Sequence, residues 1–135
     1  MSLKLRKNKG PATPEACPLL ECMAIIGGAW TPNIIWYLRA GPRRFNELRT
    51  DIPQISPKVL TTRLRELEAC GVIDRRVMST SPPSVEYSLN DLGRRLVPAI
   101  EAIAEVGEEL KARAAKGEIP HSDSPRLKHL RATMA

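Results

Sequence analysis

Few side chains in this sequence could carry covalent or acid–base chemistry. The thiols are Cys17, Cys22 and Cys70, and the only histidines, His121 and His129, fall in the last fifteen residues. A nucleophile needs a histidine or similar base within reach, and residues 15–113 hold no histidine. Cys17 and Cys22 are five apart, which is not the Cys-x-x-Cys spacing of redox or zinc sites. Gly27-Gly28 reads as a helix terminator rather than a phosphate loop. The chain is therefore not expected to be an enzyme, and neither a metal nor an organic cofactor is expected. Three cysteines in unrelated settings suit free thiols in a reducing cytoplasm better than a disulfide scaffold.

Charge offers another kind of chemistry, the recognition of a polyanion. The formal net charge is +6, and its distribution is uneven. Residues 1–14 carry Lys4, Arg6, Lys7 and Lys9 and no acid, a net of +4. Residues 39–65 carry seven bases against Glu47 and Asp51, a net of +5, whereas residues 66–113 carry nine acids against six bases, a net of −3. A cationic middle followed by an anionic part gives a domain one preferred face toward nucleic acid.

The elements that must present those charges follow from periodicity and punctuation. A first helix is expected over 17–26, with Pro18 in its first turn, Leu19, Leu20, Met23 and Ile26 as its apolar side, and Gly27-Gly28 as its stop. A second begins with Thr31 as N-cap and Pro32 at the first helical position, and ends at Gly41-Pro42. A short third covers Phe45 to Asp51. The fourth has the fullest signature: Ser56 as cap, Pro57 at the first position, Ile55 and Leu60 as a hydrophobic staple, and Gly71 beyond its end. The period then changes, and 72–77 and 85–89 read as the strands of a two-stranded hairpin. Asn90 caps a long last helix over 91–113, with Leu92, Leu96, Ile100, Ile103, Val106 and Leu110 at spacings of three and four and with Pro98 expected to kink it. A basic flexible arm (1–14) and a polar tail (114–135) flank the domain at 15–113.

Two short helices joined by Pro53-Gln54-Ile55-Ser56 form a helix-turn-helix. The major groove admits one α-helix, which a second must hold in place. Residues 56–69 fit the inserted role. Leu60, Leu64 and Leu67 form one stripe, and Lys58, Thr61, Thr62 and Arg65 lie opposite. Thr61 and Thr62 are expected to meet base edges or thymine methyls, and Lys58 and Arg65 to meet guanine or phosphate. Ser56, Pro57 and the helix start would take a phosphate. Arg43 and Arg44 suit backbone contacts, with Arg75 and Arg76 on the hairpin. The hairpin makes the fold class mainly α with a small two-stranded β-hairpin, a winged helix-turn-helix. Its tip, 79–84, is uncharged, so a packing hairpin and a base-reading wing both stay open.

The strings Cys17-Pro18, Ile26-Gly27-Gly28-Ala29-Trp30, Ile35-Trp36 and Gly41-Pro42-Arg43-Arg44-Phe45-Asn46-Glu47-Leu48 resemble the HxlR-type winged helix-turn-helix regulators. So do Ile55-Ser56-Pro57-Lys58-Val59-Leu60-Thr61, Leu64-Arg65-Glu66-Leu67-Glu68, 82–89 and Leu92-Gly93, and the likeness spans about 17–106. It implies a bacterial, cytoplasmic homodimer on a pseudo-palindromic DNA operator, paired through helices 17–26 and 91–113. A small dimer without an activation surface suits repression. Some members of the family respond to electrophiles or oxidants through a cysteine at this position, so the resemblance also implies a redox sensor at Cys17, with an oxidant or small molecule as effector; a small packing residue is the alternative. Cys17 precedes a helix, where the macrodipole favours thiolate, although Glu15 and Glu21 act against it. Ser84 stands where a basic wing residue is common, and Arg63 where glutamine is frequent; Arg63 lies beside the apolar stripe and outside the base-reading set.

The length, 135 residues, suits one domain. No apolar run is long enough to cross a membrane, and MSLKLRKNKG lacks the apolar stretch of a secretory signal. The rival reading is an RNA-binding or protein-docking winged helix without operator specificity. Single-strand binders rely on exposed aromatics, whereas Trp30, Trp36, Tyr37, Phe45 and Tyr87 all sit in apolar segments.

Overall fold

The computed structural model describes residues 17–118. Their order is α1 (Pro18–Ile26), α2 (Thr31–Leu38), β1 (Arg43–Arg44), α3 (Phe45–Asp51), α4 (Pro57–Ala69), β2 (Ile73–Met78), β3 (Ser84–Leu89) and α5 (Asp91–Ala115). The expected arm at 1–14 and the tail beyond 118 lie outside the described residues.

The apolar stripes converge on one core. Ile34, Ile35 and Leu38 of α2, Leu48 of α3, Leu60, Leu64 and Leu67 of α4, Val72, Ile73, Leu89 and Ile100 are all buried, with Ile52 and Ile55 closing the turn between α3 and α4. Ser56 caps α4 as expected: its hydroxyl accepts from the Val59 N–H at 3.1 Å. Ile55 and Leu60, the staple pair, are both buried.

Several boundaries differ from the sequence expectation. The sheet has three strands in the order β1-β3-β2 rather than two. Arg43 and Arg44 pair antiparallel with Tyr87 and Glu86; a two-residue strand is too short for any alternation to show. The hairpin is Ile73–Met78 with Ser84–Leu89, in register from Ile73↔Leu89 to Met78↔Ser84. Trp30, not Thr31, is the N-cap of α2, in the left-handed region at φ 69°, and Thr31 is the first helical residue, 2% exposed. Gly28 leaves room for the buried Thr31 side chain: a Cβ there would lie 2.9 Å from Thr31 Oγ1. The last helix continues two residues beyond 113, so Ala114, expected in the tail, is helical and buried.

Asn90 anchors α5 from both ends of its amide. Its Oδ1 accepts from the Gly93 N–H at 2.9 Å, and its Nδ2 donates to the Gly71 carbonyl at 2.7 Å. The first turn of α5 thereby rests on the turn that ends α4. Gly93 permits the approach: a Cβ there would run into the Val72 carbonyl.

Candidate nucleic-acid interface

The buried stripe of α4 fixes the opposite face outward. Lys58, Thr62 and Arg65 are exposed and Thr61 is half-buried. Among the described residues, no ion pair engages Lys58 or Arg65. Both threonine hydroxyls donate back into the helix, Thr61 to the Pro57 carbonyl at 2.8 Å and Thr62 to the Lys58 carbonyl at 3.0 Å. With their protons so used, these side chains offer outward methyls and acceptor lone pairs. That character suits thymine methyls and base amino groups.

Around the start of α4, the Val59 and Leu60 N–H groups both bond to Ser56, and Pro57 has no N–H. The first-turn donors expected to meet a phosphate are thus largely occupied.

The four arginines outside α4 that were expected to meet DNA, Arg43, Arg44, Arg75 and Arg76, separate into distinct settings. Arg43 is held internally: its Nε and NH2 donate to the two Asp51 carboxylate oxygens at 2.9 and 2.7 Å, and its NH1 to Glu47 at 3.3 Å. The Asp51 hydrogen bond raises its pKa, desolvation opposes this, and the Asp51 and Glu47 charges add to it. A guanidinium forked onto one carboxylate ties β1 to the far end of α3. Its positive charge is therefore largely compensated within the protein. Arg44 is exposed, and its backbone N–H donates to Glu47 Oε1 at 2.9 Å. It lines, with Phe45, Asn46 and the loop 80–84, a broad cleft of about 1000 Å³ between α3 and the wing.

Arg75 and Arg76 are successive on β2, so their side chains leave opposite faces of the sheet. Arg75 pairs with Tyr87 and Arg76 with Glu86. Arg75 joins Thr61, Arg65, Glu68 and Tyr87 around a cleft of about 310 Å³ between α4 and the sheet. Arg76 lies in the row Arg44, Glu86, Arg76, where the carboxylate stands between two cations in strand order. The wing tip is organised by Thr80, whose hydroxyl donates to the Pro82 carbonyl at 2.8 Å and lies 3.2 Å from the Ser84 hydroxyl.

Sequence reading missed two linkages. Asp51 as the partner of Arg43 is eight residues away and shows no helical spacing to it. Arg63 donates from Nε to the Ala29 carbonyl at 2.9 Å, thirty-four residues away, a contact that only the fold creates.

Cys17 is the half-buried N-cap residue of α1, while Cys22 and Cys70 are exposed. Helix α1 buries none of its residues. Leu19, Leu20 and Met23 on it are exposed, as are Ile103, Val106 and Leu110 on α5. A cavity of about 300 Å³ lies between α2 and α5, lined by Pro32, Asn33, Trp36, Tyr37, Ile100, Ile103 and Ala104. No single helix among the described residues is long and apolar enough to cross a membrane.

Comparison with known proteins places this architecture. The family model for the HxlR-like helix-turn-helix matches residues 25–115. The HTH-type transcriptional regulator YdeP of Bacillus subtilis (strain 168) is 45% identical over 104 residues, covering 77% of this chain and 81% of that protein. The redox regulator HypR in its oxidised form superposes with a TM-score of 0.66 at 42% identity, over 69% of this chain and 96% of HypR. Diamide-treated YodB from B. subtilis superposes with a TM-score of 0.55 at 35% identity, over 76% of this chain and 96% of YodB. With a winged helix-turn-helix whose fourth helix turns a polar face outward, and with that match across the domain, the chain belongs to the HxlR-like helix-turn-helix family of transcriptional regulators.

Proposed function

We propose that this regulator binds duplex DNA as a homodimeric repressor on a pseudo-palindromic operator in the bacterial cytoplasm, and that Cys17 makes the binding thiol-responsive. The carrying observation is the outward face of α4, where Lys58, Thr62 and Arg65 stand exposed opposite a fully buried leucine stripe. In this reading α4 enters the major groove, Arg65 and Arg75 flank the cleft beside it, and Arg44 meets the backbone. Arg43 acts indirectly, holding β1 against α3. The aromatics are partly buried and packed against the core, and the Arg39 guanidinium covers the Trp36 ring at 3.7 Å, which supports duplex over single-stranded RNA.

Dimerisation supplies the second α4. The apolar residues left exposed on α1 and α5 suit burial against a second copy, since contiguous apolar surface on a small domain marks an interface. Cys17 sits at the start of α1, so its oxidation would alter the surface through which the two recognition helices are spaced. Similarity to HypR, named a redox regulator, and to YodB, solved after diamide treatment, supports this role.

Selection of bound sequences from random duplex DNA, followed by footprinting, tests the reading. Two half-sites about one helical turn apart, ~34 Å, or a multiple of it, are expected. A single short half-site, or equal affinity for single-stranded RNA, would contradict it.

A further inference from the structure

Helix α1 is attached to the domain through its last turn, where Ile25 and Ile26 are half-buried against the core. It buries no residue and leads into a turn in which Thr31 N–H donates to the Gly28 carbonyl at 3.2 Å and Trp30 is held at φ 69°. A bulky residue in the left-handed region is unfavourable unless its surroundings fix it. One side chain of α4 reaches this turn. Arg63 Nε donates to the Ala29 carbonyl at 2.9 Å, while its NH1 bonds Glu66 at 3.1 and 3.2 Å. Gly28 makes room for it: a Cβ there would lie 3.2 Å from Arg63 Nε and 2.9 Å from Thr31 Oγ1. The contact is therefore close and directional, and it joins the peptide before the strained Trp30 to the flank of the recognition helix.

We propose that Arg63 is a positioning residue for DNA recognition, tying the α1–α2 turn to α4 and so adding a second restraint to the rotation that the buried leucine stripe sets. Its Nε–H is the group that acts; the ion pair with Glu66 only orients the guanidinium. Glu66 lies three positions and Arg65 two positions further along α4, so any roll of α4 that lengthens the Ala29 bond moves Arg65 and Lys58 with it. Through the same bond, a shift of α1 in the dimer reaches the recognition face. This inference rests on the DNA-binding reading above.

Substitution chemistry isolates the Nε–H. A glutamine Nε2 is separated from Cα by the same number of atoms as an arginine Nε, so Arg63→Gln keeps a donor for Ala29 and discards the charge. Arg63→Met keeps the length and loses every donor. Operator affinity is measured by fluorescence anisotropy for full-length wild type, R63Q, R63M and Glu66→Gln, with dimer mass and melting recorded for each. R63M is expected to lose about tenfold or more in affinity, with R63Q and E66Q within about twofold of wild type. If Arg63 instead touched a phosphate directly, R63Q and R63M would fall alike and the salt dependence would flatten; that result overturns the proposal, as does wild-type affinity in R63M. Should R63M not fold, a tenfold loss in R63Q or E66Q still overturns it, and retention in both supports the assignment to Nε. Failure of the wild type to bind any selected duplex would strike the DNA-binding reading itself.

Discussion

Removal of the cations on the outer face of α4 separates recognition from stability. Lys58 and Arg65 are exposed and stand in none of the ion pairs of the described residues. Truncating either to alanine should therefore change folding stability by under about 0.5 kcal/mol. On DNA the same change removes a contact worth about 1–3 kcal/mol if it is bidentate to a base. The proposed symmetric dimer would present each residue twice, so the expected loss on a full operator is about 2–6 kcal/mol, or roughly 30-fold to 2 × 10⁴-fold in Kd. The salt dependence distinguishes the kind of contact. A residue that neutralises one phosphate per protomer lowers the log–log slope by about 1.8 for the dimer, whereas a base contact leaves the slope nearly unchanged. Fluorescence anisotropy on the selected operator across a salt series, beside thermal melts, measures both. Lys58→Ala and Arg65→Ala both binding within twofold of wild type, with intact folds, would refute the assignment of this face.

Other perturbations address the scaffold, the interface and the thiol. Asn90→Ala loses the α5 cap and the bond to Gly71, an expected cost of about 1.5–3 kcal/mol; Asn90→Ser should recover about half, since a serine restores only the cap. Melting at fixed protein concentration checks this, and equal stability of the alanine variant and wild type would remove Asn90 as the anchor. Ile103 is 59% exposed on α5, so Ile103→Glu should leave the monomer folded. It should weaken self-association by about 3–6 kcal/mol if both copies are buried in the dimer; sedimentation equilibrium reads the shift, and an unchanged mass distribution places the interface elsewhere. Cys17→Ser is expected to bind operator like the reduced wild type and to lose the response to diamide. An equal response in both proteins takes Cys17 out of the mechanism.

The sequence by itself determined each helix of the domain and the outward face of α4. Caps, prolines, glycines and three-and-four spacing are local signals, and a leucine stripe on a short helix leaves its other residues no place but the surface. Ser56, Pro57 and the Ile55–Leu60 pair were legible for that reason, as were the exposed Lys58, Thr62 and Arg65. Tertiary structure alone decided what the remaining charges do. Arg43 and Arg44 are neighbours of one type, yet Asp51 neutralises the first while the second stays exposed. Arg75 and Arg76 part to opposite sides of a sheet, and only the first faces the cleft beside α4. Arg63 is one arginine among several until the fold brings the Ala29 carbonyl to it. A charged side chain is long and finds its partner through space, so neither its spacing nor its neighbours along the chain state which carboxylate or carbonyl it will meet.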